Sequence, residues 1–124
     1  MLMNEELTEA ILSAAFAVHS GLGAGLLESA YEICLCHELS KRGIKFRRQV
    51  ELPIVYDGVL IDCGYRIDIL VDETVIVEIK AIEKLLPIHE AQLMTYLKLS
   101  GKRVGLLINF NVKALKDGII RRVL

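Results

Sequence analysis

Two consecutive apolar runs constrain the fold more than anything else in this chain. They are Arg66-Ile67-Asp68-Ile69-Leu70-Val71 and Val75-Ile76-Val77-Glu78-Ile79-Lys80, separated by Asp72-Glu73-Thr74. Both alternate with a period of two, which predicts adjacent strands joined by a three-residue hairpin turn. Pairing Val71 with Val75 sets Asp68 directly opposite Glu78 on one face. Lys80 shares that face, about 7 Å from Glu78 at the strand rise. Two acids and a lysine among apolar neighbours are costly to bury unless they are paired or hold a metal. The hairpin thus predicts two carboxylates and an ammonium at one spot, able to hold a divalent cation and position a water molecule. Spacing alone also fits a solvated sheet face with alternating charges. Leu70, Ile76 and Ile82 on the same face, and the central place expected for both strands, weigh against that.

A chain of 124 residues predicts one domain spanning 1–124. The hydrophobic fraction of 53% and mean hydropathy of +0.44 are high for this length, which predicts a deeply buried sheet or a homodimer interface. No apolar run approaches the ~20 residues needed to span a bilayer, so no membrane partner is expected. The start, Met1-Leu2-Met3-Asn4-Glu5-Glu6, lacks a basic region and a long apolar stretch, so no signal peptide is expected. Three cysteines (Cys34, Cys36 and Cys63) with no extracellular context predict reduced thiols and a cytoplasmic protein. Cys34-Leu35-Cys36-His37 is no zinc cluster on a helix, because residues two apart point to different sides. The net charge of -1 argues against general coating of nucleic acid. Basic residues still gather at Lys41, Arg42, Lys45, Arg47 and Arg48, and at Lys113, Lys116, Arg121 and Arg122. Solvated surface and a phosphate-facing rim both fit these clusters.

Along the chain, Asn4 to His19 has one apolar stripe at helical spacing (Leu7, Ala10, Ile11, Ala14, Ala15, Val18), with Asn4 as its cap. Gly21 to Gly25 ends it. A second helix runs from about Leu26 to Lys41, with an inward stripe of Leu27, Tyr31, Cys34, Leu35 and Leu39 that also takes in Glu28. Lys45 to Tyr56 is a strand interrupted at Pro53, and Asp57-Gly58 signals a hairpin turn. Val59 to Cys63 leads across Gly64 into the Asp68 strand. Pro87 and Gly101 bound a third helix. The apolar run within Lys102 to Asn109 reads as a strand buried on both faces, reached by a parallel crossover. Ile119 to Leu124 adds a short edge strand. The order is helix, helix, three strands, helix, strand: an α/β (α+β) fold with a mixed sheet flanked by helices.

Glu28 fits two roles. In the first turn of its helix the dipole favours a carboxylate, but the inward stripe favours a pocket. Gln92 and Tyr96, four apart, share a ridge with Ile88 that should face the sheet, where buried polar groups need partners. His19, His37 and His89 are isolated, and surface or capping roles suit them best. Gly21-Leu22-Gly23-Ala24-Gly25 lacks the context of a phosphate-binding loop.

At these residues the chain resembles a known family. Gly25-Leu26-Leu27-Glu28-Ser29-Ala30-Tyr31 is similar to the signature of the GxxExxY proteins. Asp68, then Glu78-Ile79-Lys80, then Gln92-Leu93-Met94-Thr95-Tyr96, resembles the remainder of the pattern. That family is placed in the PD-(D/E)xK nuclease-like superfamily, and Ile67 stands where the superfamily's name has proline. The resemblance runs from about Leu7 to Leu124. It implies a restriction-endonuclease-like core, with a three- or four-stranded sheet, and a metal-dependent phosphodiesterase centre. Asp68, Glu78 and the Ile79 backbone carbonyl would ligate Mg²⁺, with Mn²⁺ as substitute. Lys80 would orient or help deprotonate the attacking water. Glu28 would add a carboxylate for water on the metal or for a second ion, and Gln92 and Tyr96 would orient these groups or touch phosphate. Two functions follow from the resemblance: a Mg²⁺-dependent nuclease acting on DNA, in repair, mobile-element or defence biology, and a non-catalytic nucleic-acid- or protein-binding module on the same scaffold.

Overall fold

The computed structural model describes residues 4–124, and the expected lack of a signal peptide falls partly on residues 1–3, outside that range. The elements are α1 (Glu5–Leu22), α2 (Glu28–Lys41), β1 (Phe46–Glu51), β2 (Ile54–Tyr56), β3 (Val59–Ile61), β4 (Arg66–Val71), β5 (Val75–Lys80), α3 (Pro87–Ser100), β6 (Val104–Asn109) and β7 (Ile119–Val123). A short 3-10 turn, Leu115–Gly118, precedes β7.

Five strands form one sheet in the order β1-β4-β5-β6-β7, so the expected three- or four-stranded core is larger than predicted. The Lys45–Tyr56 run breaks at Pro53 as expected and gives the sheet one edge strand, β1, while Ile119–Val123 gives the other edge, β7. β1 pairs antiparallel with β4, while β2 and β3 leave the sheet as a separate two-stranded ribbon. Val59 to Cys63 therefore does not run on as sheet into β4. β4 and β5 are antiparallel, with Val71 opposite Val75 across the three-residue turn, as the alternation predicts. β5 and β6 are parallel, with α3 as the crossover, and β7 closes the far edge antiparallel to β6.

The two faces of the sheet carry two cores. Val75, Val77 and Ile79 of β5 alternate onto the face covered by α1 and α2, where they meet Ile11, Ala15, Tyr31 and Leu35. Leu70, Ile76 and Leu107 lie on the opposite face beneath Leu93, Tyr96 and Leu97 of α3. Every residue of β6 is buried, as its unbroken apolar run requires. Each fully buried Leu or Ile contributes roughly 1.5–3 kcal/mol.

Several local expectations fail. Asn4 sits in a left-handed conformation (φ 51°) and makes no side-chain cap. α2 begins at Glu28, one residue after Leu27, which is 76% exposed rather than inward. Its buried side is Tyr31, Glu32, Leu35, Cys36 and Leu39, so Cys34 is displaced by Cys36 and a glutamate takes a core position. Ile88, in the first turn of α3, is exposed rather than turned to the sheet. Ile82 follows the end of β5 and does not lie on its face.

Candidate active site

The functional residues gather where β4 and β5 stop pairing. The ladder runs from Val71–Val75 to Ile69–Val77 and ends before Asp68 and Glu78. Beyond that point side chains replace it. The Asp68 N–H donates to Glu78 Oε2 at 2.8 Å, and the Ile79 N–H donates to Asp68 Oδ2 at 2.8 Å. Each carboxylate thus spends one oxygen on the other strand's backbone. The N–H and C=O of a strand residue point to the same edge, so the Ile79 carbonyl faces this gap as well. Lys80 turns the other way and its carbonyl accepts from Phe110 N.

Gln49 widens the break on the β1 side. Arg48 is opposite Ile69 and Val50 opposite Ile67, so Gln49 falls opposite Asp68, yet it makes no ladder pair. Its φ of 50° is left-handed, which costs a residue with a Cβ about 1 kcal/mol. The Gln49 amide donates to both oxygens of Glu32, at 2.9 and 3.1 Å, and reaches Asp68 Oδ1 at 3.4 Å.

Charge and burial set the electrostatics. Glu78 is 5% exposed. Burial first, and the Asp68 charge second, push its carboxyl up to about 8, against the lowering effects of the Asp68 N–H and Lys80. Burial also raises Asp68, with Glu32 adding to it, while the Ile79 N–H, Gln49 and Lys80 pull it down. Lys80 is half-buried beside these acids. A pair of carboxyls held above their usual range is short of positive charge.

Glu28 stands at the solvent-open mouth, as the first residue of α2. Its carboxyl is raised by desolvation, lowered by Lys80 and the Ala81 backbone, and raised by Asp68 and Glu32, so it shares the field of the site. The loop before it is built to hold it there. The Tyr31 hydroxyl donates to Gly23 O at 2.6 Å and accepts from Leu26 N at 3.1 Å, while its ring stacks on Phe110 at 4.7 Å. Gly25, with φ 99°, takes a backbone conformation that side chains rarely adopt, and its N–H donates to Asn111 Oδ1. Within the Gly25 to Tyr31 segment, glycine and tyrosine form the mount and Glu28 is presented.

Gln92 and Tyr96 approach from α3. The Gln92 amide donates to Tyr96 Oη at 3.2 Å, and the buried Tyr96 hydroxyl is raised by desolvation and by the nearby Glu78 charge. Of the sequence-predicted residues, Asp68, Glu78 and Lys80 lie together at the gap, Glu28 stands at the rim within their electrostatic field, Tyr96 feels the Glu78 charge from α3, and Gln92 is linked to it through Tyr96.

Three participants, Glu32, Gln49 and Asn109, carry no mark in the sequence reading, and a fourth, Arg48, stood there only as one member of a basic cluster. Glu32 is buried on α2, one turn after Glu28, and that i, i+4 spacing on a largely buried face was the available signal. Arg48 donates to Glu32 Oε2 from Nε and Nη2, at 3.0 and 2.7 Å. Gln49 gave no signal, since nothing local marks a glutamine for a left-handed strand position. Asn109, buried at the end of β6, clamps Ile82 through both its amide groups and so fixes the chain leaving Lys80. Of the first basic cluster, Lys41 and Arg42 pair with Glu38 and Arg47 pairs with Glu73, while Arg48 lines the cleft. The cleft encloses about 570 Å³.

The donor chemistry fits a hard divalent cation. Asp68 and Glu78 each keep an oxygen free of backbone bonding, and the Ile79 carbonyl faces the same gap; such oxygens suit Mg²⁺ and Mn²⁺. Among the described residues no three His, Cys, Asp or Glu side chains converge into a metal group, so solvent would have to complete the shell.

A mixed sheet flanked by helices, with acids and a lysine where two central strands part, defines a restriction-endonuclease-like fold. The chain matches the family model of the PD-(D/E)XK nuclease superfamily over residues 5–123, and it belongs to that superfamily. No curated protein and no solved structure matches it. Membership brings a nuclease-type function, and no helix among the described residues is long and apolar enough to cross a membrane.

Proposed function

We propose that this chain is a single nuclease domain that hydrolyses phosphodiester bonds, with DNA as substrate and Mg²⁺ as metal, Mn²⁺ substituting. The observation that carries this is the gap between β4 and β5, where Asp68 and Glu78 are tied by one oxygen each beside a half-buried Lys80. Asp68, Glu78 and the Ile79 carbonyl would hold the ion, which supplies Lewis-acid stabilisation of charge on the phosphate.

The protein's own groups do the remaining work. Lys80 orients the attacking water and offsets charge at the phosphate. Glu28, open to solvent at the mouth, offers a further carboxylate to water entering the site. Tyr96, held by Gln92, presents its hydroxyl beside Glu78. The test is incubation of supercoiled and linear DNA with the protein and Mg²⁺ or Mn²⁺. Wild type should cut, and EDTA and Asp68→Asn should each stop it. DNA binding without cleavage at millimolar metal would favour the non-catalytic binding module instead.

We also propose a homodimer formed through the β2–β3 ribbon. Val55 and Leu60 pair across one face of the ribbon, 64% and 68% exposed, and Tyr56 and Val59 are exposed on the other. A two-stranded ribbon with both faces open is marginal alone. Ile54 to Ile61 contains no Lys or Arg, which suits a protein surface rather than phosphates. A second copy supplies the same apolar surface by symmetry. The cytoplasmic setting expected from the cysteines is retained as part of this proposal.

A further inference from the structure

In a regular strand, consecutive side chains point to opposite faces. Arg48 and Gln49 break this rule, for both bond to the single carboxylate of Glu32. The left-handed turn of the backbone at Gln49 is what brings them to the same side. The register with β4 is unchanged on either side of it, so the kink serves these two side chains and not the sheet. Strain that a fold keeps at one residue, beside a cleft, points to a use for what the strain places there.

The placed group is the Arg48 guanidinium. Its Nε and Nη2 are taken by Glu32, which is 5% exposed. Nη1 has no protein partner among the described residues, and the side chain is 42% exposed on the wall of the cleft that Glu28, Ser29 and Asp68 also line. Gln49 ties the same Glu32 carboxylate to Asp68 Oδ1, so the guanidinium is held at a fixed distance from the acids. A buried glutamate beside two other acids would work against the site unless a cation were locked to it. An arginine anchored along one edge keeps a planar donor for an oxyanion with little freedom left to lose.

We propose that Arg48 is a phosphate-binding residue, anchored by Glu32 and the Gln49 kink, that takes a backbone phosphate of a nucleic acid lying in the cleft. This rests on the nuclease reading, which supplies the phosphate. Arg48 is then a substrate-binding residue, and Glu32 and Gln49 are positioning residues.

The experiment is binding of a fluorescent DNA duplex in EDTA across a salt series, which needs no metal and no turnover. Arg48→Ala should weaken binding roughly tenfold and lower the slope of log affinity against log salt by about one. Arg48→Ala strands Glu32, so the pair Glu32→Gln/Arg48→Gln is measured beside it. That pair leaves the net charge unchanged and keeps the buried site neutral, and it should show the same loss of slope with an unchanged melting temperature. Equal affinity and slope for wild type and the folded double variant would overturn the proposal while leaving the nuclease reading intact. Failure of wild type itself to bind DNA would overturn both.

Discussion

Asp68 and Glu78 are held through each other's strand: the Asp68 N–H donates to the Glu78 carboxylate, and the Asp68 carboxylate accepts from Ile79, the residue after Glu78. Two acids that repel are thereby fixed side by side without a direct bond between them. The same exchange ends the β-ladder and opens the gap that the Ile79 carbonyl faces. Without a cation the arrangement is unfavourable at neutral pH, and this has measurable consequences.

Stability of the metal-free protein should fall as pH rises from about 4.5 to about 8. Burial pushes the folded Glu78 carboxyl up to about 8, against an ordinary value of 4.5 in the unfolded chain. Within that window the folded state keeps a proton that the unfolded state has lost, so each rise in pH favours unfolding. Asp68 and Glu28 are raised as well and add in the same direction. Urea unfolding in EDTA should show a loss of a few kcal/mol, and Glu78→Gln should flatten the slope. A stability that climbs across this window would refute the burial of Glu78 as an uncompensated acid.

Asp68→Asn should stabilise the metal-free protein at pH 8, on the order of 1 kcal/mol or a few degrees of melting temperature. The amide oxygen can still accept from Ile79 N–H, while the charge that raises Glu78 is gone. The same variant should lose the upward shift that Mg²⁺ or Mn²⁺ gives the wild-type melt. Destabilisation by Asp68→Asn, with no metal shift in either protein, would mark a structural ion network.

Lys80→Ala should abolish cleavage while the protein still folds and binds metal. A protonated amine has no lone pair for the ion, and its removal leaves the acids with less competition for a cation. Calorimetric titration with Mn²⁺ should give affinity equal to or above wild type. Loss of metal binding together with activity would show that Lys80 shapes the site rather than acting in it.

Tyr31→Phe should cost about 1 kcal/mol and reduce activity without touching the acids. The change keeps the stack on Phe110 but leaves Gly23 O and Leu26 N without their partner, loosening the loop that presents Glu28. Denaturant unfolding and cleavage rates check both parts. Full activity with an unchanged melt would remove the loop's role as a mount.

Val55→Lys together with Leu60→Lys should convert a dimer into a monomer with little effect on melting of the isolated subunit. Both side chains are already exposed on the ribbon, so the charges burden only an interface. Light scattering of wild type at a monomer mass, at high protein concentration, would reject the dimer.

Local sequence determined more of this protein than its length suggests. The period of two in Arg66–Val71 and Val75–Lys80, with a three-residue turn between, was enough to bring Asp68 and Glu78 together, because side-chain direction in a strand follows from counting. The unbroken apolar run of β6 and the proline and glycine bounding α3 were equally readable. Tertiary structure alone decided that the ladder breaks at Asp68, that Gln49 turns left-handed, and that Glu32 fills a core position beside Arg48. It also decided that Leu27 and Ile88 face solvent and that Asn109 secures the chain after Lys80. These features depend on which groups meet across 10 to 27 residues of sequence, such as Asp68 with Glu78, Arg48 with Glu32 and Asn109 with Ile82. Periodicity tells which face a side chain takes, but a hydrogen bond between distant segments, and the backbone strain it sustains, exist only once those segments are packed together.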